Sequence, residues 1–120
     1  MAQRGLDEMP FSVSAAYEKC RQLAQDHYEN FTLGSWFLPK KLLPHFFALY
    51  AFCRYTDNLG DEAEGDRLSL LDSWESELDA CYDSRPDSPI MLALQNTIHQ
   101  FGIPDEPFRN LIKANRIDQM

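Results

Sequence analysis

Apolar residues recur at three- and four-residue spacing along most of the chain, the period of a helix that buries one face. Ala16, Cys20, Leu23 and Ala24 form the first such stripe and predict a helix from about Ser14 to Tyr28, with Ser12 or Ser14 as its cap. A loop containing Gly34 and Pro39 follows. The second helix is expected to begin near Lys40, tolerate Pro44 in its first turns, and run through LLPHFFALYAFCRYTDNL to about Gly60. This is the most apolar stretch. Asp66 can cap a third helix with the stripe Leu68, Leu71, Trp74, Leu78 and Cys81, which SRPDSP breaks. Ser88 can cap a fourth, carrying Ile90, Leu92, Leu94, Ile98 and Phe101 and ended by Gly102 and Pro104. Asp105 starts a fifth, with Pro107 in its first turn and Phe108, Leu111, Ile112 and Ala114 as its apolar positions. No stop signal precedes Met120, so the chain is expected to end inside a helix. The pattern predicts an all-α fold of about five helices, without internal repeats or low-complexity tracts.

Length and composition narrow this picture. A chain of 120 residues can form one modest domain or a piece of one. Its 44% hydrophobic and 25% charged content is that of an ordinary globular chain. The 19 acidic against 11 basic residues leave a net charge of -8, which repels nucleic-acid phosphates and anionic membrane surfaces, and no basic patch offsets it. Nucleic acid is therefore excluded as a partner. The same acidity suits hard divalent cations, which take carboxylate oxygens. Cys20, Cys53 and Cys81 are odd in number, widely spaced and without a C-x-x-C pair, so buried free thiols in a reducing cytoplasm are expected rather than zinc or disulfides. The opening MAQRGLDEMPF lacks the apolar core of a secretion signal, and no later run is long enough to span a membrane. A soluble cytoplasmic protein is expected.

The second helix carries the candidate chemistry. Residues three and four apart share a helix face, so Tyr50, Arg54, Asp57 and Asp61 fall on one stripe. Phe46 and Phe47 extend it as aromatic surface, and Glu62, Glu64 and Asp66 follow its acidic end. The pattern is that of an apolar channel floor leading to an acidic mouth. The D-x-x-x-D spacing sets two carboxylates about 6 Å apart along the axis, close enough to share or bracket magnesium ions whose remaining ligands are water. Such ions bridge to phosphate oxygens, and the rigid guanidinium fork of Arg54 can grip the same phosphate in a bidentate way. Asn58 can offer neutral hydrogen bonds beside it. In a chain this acidic, aspartates four apart are more often a solvated face, so spacing alone does not establish a metal site. His45 and His99 have no Asp or Cys partner at ligand spacing, and packing or exposure accounts for them. Lys40 and Lys41 read as a surface helix start, and Trp36, Trp74, Phe52 and Phe101 as core.

These residues resemble a known family. The run YAFCRYTDNLGDEA, Tyr50 to Ala63, is similar to the first aspartate-rich motif of the squalene and phytoene synthases, in which an aromatic helix leads through Arg into D-x-x-x-D. HYENFTLGSWFLPKKLLPHFFALYAFCR, from His27 to Arg54, resembles the family's first conserved block, and PFRNLIKANRIDQ resembles the helix after the hairpin that follows the aspartates. The similarity spans His27 to Met120 in order.

The resemblance implies an isoprenoid synthase-type helical fold, magnesium as cofactor and a prenyl diphosphate substrate. It implies metal binding by Asp57 and Asp61, diphosphate binding and catalysis by Arg54, and a cavity-lining aromatic at Tyr50. It also implies substrate contacts from His27, Asn30 and Phe31 in the first polar segment. Two departures stand out: Asn58 replaces a second aspartate common in the family, and many members carry a Ser near Asn30. Glu29 to Phe31 and the DNLGDE of Asp57 to Glu62 look most like the bacterial hydroxysqualene synthases. That branch is implied to ionise presqualene diphosphate and trap the rearranged cation with water. Its relatives join two prenyl diphosphates head to head, as phytoene and presqualene diphosphate synthases do. A non-catalytic helical module or assembly factor that keeps the fold without the chemistry is the alternative of another class.

The family also implies a second aspartate-rich motif facing the first, and no later D-x-x-x-D lies in such a context. The chain is thus expected to be a truncated N-terminal part of a single domain, inactive alone. Peripheral membrane contact fits a lipid-like substrate, although no amphipathic anchor is visible. Nothing in the sequence sets the oligomeric state or the substrate chain length.

Overall fold

The structure, a computed structural model, describes residues 12–27, 38–61, 63 and 65–119. Its regular elements are α1 (Val13–His27), a 3-10 turn (Lys40–Leu42), α2 (Leu43–Asp61), α3 (Arg67–Asp83), α4 (Pro89–Phe101) and α5 (Glu106–Ile117). The described residues contain no strand.

Local chemistry sets most of these boundaries. At the start of α1, Ser12 Oγ accepts the Ala15 N–H at 3.2 Å. The 3-10 turn feeds directly into α2, where Pro44 is the second helical residue and its missing N–H removes no helical bond. Asp66 caps α3 by accepting the Ser69 N–H at 3.1 Å. Ser88 caps α4 through the Met91 N–H, with Pro89 at the first helical position. Gly102 ends α4 in the left-handed region at φ 62°, and the Ile103 N–H returns to the Ile98 carbonyl at 3.2 Å. Asp105 precedes α5 without capping it; its carboxylate is taken by Arg109 Nε instead.

Past Ile117 the backbone stays close to helical, for Asp118 keeps a right-handed helical conformation (φ -64°, ψ -19°) and its N–H donates to the Ala114 carbonyl. Asp118 and Gln119 form a turn, and Gln119 Nε2 donates to the Gly60 carbonyl at 2.6 Å.

The helix α2 lies at the centre, in contact with each of the other four, and α4 packs against α1, α2 and α3. Being enclosed on three sides, α4 buries Met91 and Ala93 as well as its stripe residues Ile90, Leu92, Leu94 and Ile98. Ala16, Cys20 and Ala24 of α1, Phe47, Ala51 and Phe52 of α2, and Leu71, Trp74, Leu78 and Cys81 of α3 complete this core. Two stripe positions do not join it. Leu68 is exposed because it stands in line with Asp72, Glu75 and Asp79, the charged face of α3. Phe101, in the last turn of α4, is exposed and meets His45 edge-on at 4.8 Å.

Charges lock α5 to α3. Arg109 pairs with Asp79 at 2.7 Å and Glu75 at 3.2 Å, and Arg116 pairs with Glu75 at 2.5 Å and Asp72 at 2.8 Å. With these pairs formed, Phe108, Ile112 and Asn115 are turned inward and Ala114 outward. The expected apolar position at 114 is thus replaced by a buried asparagine at 115.

Candidate active site

The 3.6-residue period divides α2 into two sides. Phe47, Ala48, Ala51, Phe52, Thr56, Leu59 and Gly60 are buried in the core. Phe46, Tyr50, Cys53, Arg54, Asp57 and Asp61 lie along the other side, half-buried or exposed. Tyr50, Arg54, Asp57 and Asp61 are therefore brought onto one accessible stripe, as their spacing predicts. Phe47 corrects the expectation of a paired aromatic surface, because its ring belongs to the core while Phe46 stays at the border. Cys53 corrects another: it is exposed beside this stripe, whereas Cys20 and Cys81 are buried.

The two aspartates have different surroundings. Asp57 is half-buried, and its Oδ1 accepts a hydrogen bond from Asn115 Nδ2 of α5 at 3.3 Å. Asp61 is exposed in the last turn of α2. That turn is held from outside the helix: the Gly60 carbonyl accepts from Arg67 Nη1 at 3.1 Å as well as from Gln119. Although Cys53 is exposed as a residue, partial desolvation of its sulfur, aided by the Asp57 carboxylate, raises the thiol above its usual range.

Asn115 is the residue that sequence reasoning misses. The signal was present: a polar residue stands seven positions after Phe108 and three after Ile112, on the stripe that α5 buries. A buried amide needs partners, and here one of them is a candidate ligand.

Other candidates fall elsewhere. His27 is the last residue of α1 and only its backbone is described, while Asn30 and Phe31 lie outside the described residues. His45 is engaged in packing, with its Nδ1 in hydrogen-bond contact with Thr97 Oγ1 at 2.9 Å and Tyr17 Oη at 3.3 Å. His99, Lys40 and Lys41 are exposed. A cavity of about 520 Å³, lined by Leu23, Tyr55, Leu59, Leu70, Trp74 and Ile90 among others, opens on the opposite side of α2. Tyr55 and Leu59 each stand two residues from an aspartate, about 200° around the helix, so this space shares no wall with Asp57 or Asp61.

The donor set can be tested against a cation. Among the described residues no three His, Cys, Asp or Glu side chains converge on one point. Two carboxylates one turn apart, with an arginine one turn before them, fit magnesium, which keeps several waters and binds through one or two carboxylates plus phosphate oxygens.

Residues 24–120 match the family model described as squalene/phytoene synthase. The chain belongs to the squalene/phytoene synthase family. Within this family, it is 34% identical over 111 residues to the phytoene synthase of Arthrospira platensis, covering 91% of this chain and 36% of that protein. It is 33% identical over 109 residues to the 15-cis-phytoene synthase of Synechococcus elongatus, covering 89% and 35%. The crystal structure of squalene synthase HpnC from Alicyclobacillus acidocaldarius superposes with a TM-score of 0.83 at 48% identity, over 89% of this chain and 41% of that one. The helical fold is thus that of a squalene/phytoene synthase, and the chain spans little more than a third of the length of these relatives.

Proposed function

We propose that the outward stripe of α2 is one wall of a magnesium-dependent prenyl diphosphate site, and that the whole protein converts presqualene diphosphate to hydroxysqualene. The observation that supports it most is the placement of Arg54, Asp57 and Asp61 on the side of α2 that the core leaves accessible, following the half-buried Tyr50. Magnesium held by Asp57 and Asp61 would neutralise charge on the departing diphosphate. Arg54 orients the diphosphate by its donor fork, so that the carbon–oxygen bond breaks with the electron pair leaving on oxygen. The ring of Tyr50 offers an apolar wall whose π face tolerates the positive charge left on the hydrocarbon. Water then adds to the rearranged cation and releases one proton, giving the alcohol.

The 48% identity to a squalene synthase supports the squalene-forming side of the family, within which this reaction falls. The phytoene synthase relatives favour a second reading, head-to-head joining of two prenyl diphosphates. Product analysis of the full natural protein separates the two. Hydroxysqualene from presqualene diphosphate, abolished by removing magnesium, is the expected result; phytoene or presqualene diphosphate from prenyl diphosphates alone would establish the other branch. Asp57→Ala and Asp61→Ala should each lower turnover by about a hundredfold with helical content unchanged.

A further inference from the structure

The contact between α5 and the aspartate stripe goes beyond the ligand set. Asn115 Nδ2 lies 3.3 Å from Asp57 Oδ1 and 3.1 Å from the Leu111 carbonyl. Both partners can only accept, so the amide nitrogen must face them and the amide oxygen must point the other way. That oxygen rests against Gly60, where a Cβ would overlap it. Gly60 and Asn115 therefore form a matched pair: the missing side chain in α2 makes the seat for the amide of α5. Asn115 is 6% exposed, so its donor is directed by its surroundings and is not free to turn to water.

We propose that Asn115 is a positioning residue for Asp57, one that occupies Oδ1 from the α5 side and leaves Oδ2 to the cation. The inference rests on the cation reading of the stripe. A carboxylate with one oxygen pinned is held in one rotamer and offers a single-oxygen contact, the form that an octahedral magnesium shell accepts. Partners behind a ligand commonly alter metal affinity by 10–100-fold. Asp61, exposed at the end of the same stripe, is the weaker anchor, so Asn115 makes Asp57 the better-ordered ligand of the two. With Arg109 and Arg116 clasped on α3, α5 stands in the rotation that delivers the amide.

The test measures Mn2+ affinity by electron paramagnetic resonance, and thermal midpoint in parallel, on the full natural protein. Asn115→Ala should weaken Mn2+ binding about tenfold. Gly60→Ala should lower the midpoint by crowding the amide, and Gly60→Ala/Asn115→Ala should recover the midpoint without recovering affinity. A purely structural role predicts that both recover together, and that outcome overturns the proposal. So does unchanged affinity in Asn115→Ala while Asp57→Ala binds weakly. If Asp57→Ala itself binds Mn2+ like the parent, the cation reading fails, and the role of Asn115 with it. Should Asn115→Ala not fold, the double variant carries the affinity measurement.

Discussion

Thr56 shows how much one hydroxyl can organise. It is fully buried, donates to the Phe52 carbonyl at 2.7 Å and accepts the indole N–H of Trp74 at 2.8 Å. The residue thus ties α2 to α3 with every polar group satisfied. Thr56→Val keeps the shape but strands the indole N–H, and should lower stability by about 1–3 kcal/mol in urea denaturation followed by tryptophan fluorescence. The thiols supply a second prediction. Burial pushes Cys20 and Cys81 from 9.0 up to about 12. The folded state holds these protons longer than the unfolded chain, so the stabilisation is whole below pH 9 and declines as pH rises toward about 12. Urea midpoints should fall across that window. Thiol reagents near pH 8 should reach the exposed Cys53 in the folded protein and the other two only in denaturant. Periodicity alone placed Cys20 and Cys81 correctly; Cys53 escaped because Phe52 and Thr56, not its own stripe, face the core.

Helix ends were legible wherever the signal is local. Asp66, Ser88 and Gly102 act through hydrogen bonds that span three to five residues, so their positions in the sequence suffice. Asp105 was legible as a helix start but not as a partner of Arg109, and Gln119 donates to a carbonyl 59 positions away. The α3–α5 clasp is equally non-local. Glu75 receives both Arg109 and Arg116, so Glu75→Gln should cost about 0.5–1 kcal/mol, an effect that shrinks in high salt. Comparing denaturation midpoints at low and high ionic strength checks both parts. An unchanged salt dependence would mean that packing at Phe108 and Ile112, not charge, sets the rotation of α5.

Across the whole molecule, α2 is both the central core helix and the carrier of the candidate chemistry. Its two roles are separated by helical period alone: one side packs against four helices, and the other presents Tyr50, Arg54, Asp57 and Asp61. The sequence by itself determined the five helices, their main caps and this stripe, because periodicity and capping depend on neighbours within one or two turns. It also carried the family, through residues in order along the chain. Only the tertiary structure decided that Phe47 turns inward, that Phe101 stays outside, and that Asn115 reaches Asp57. Those outcomes depend on which helices pack together and at what rotation, and no spacing within a single helix encodes that.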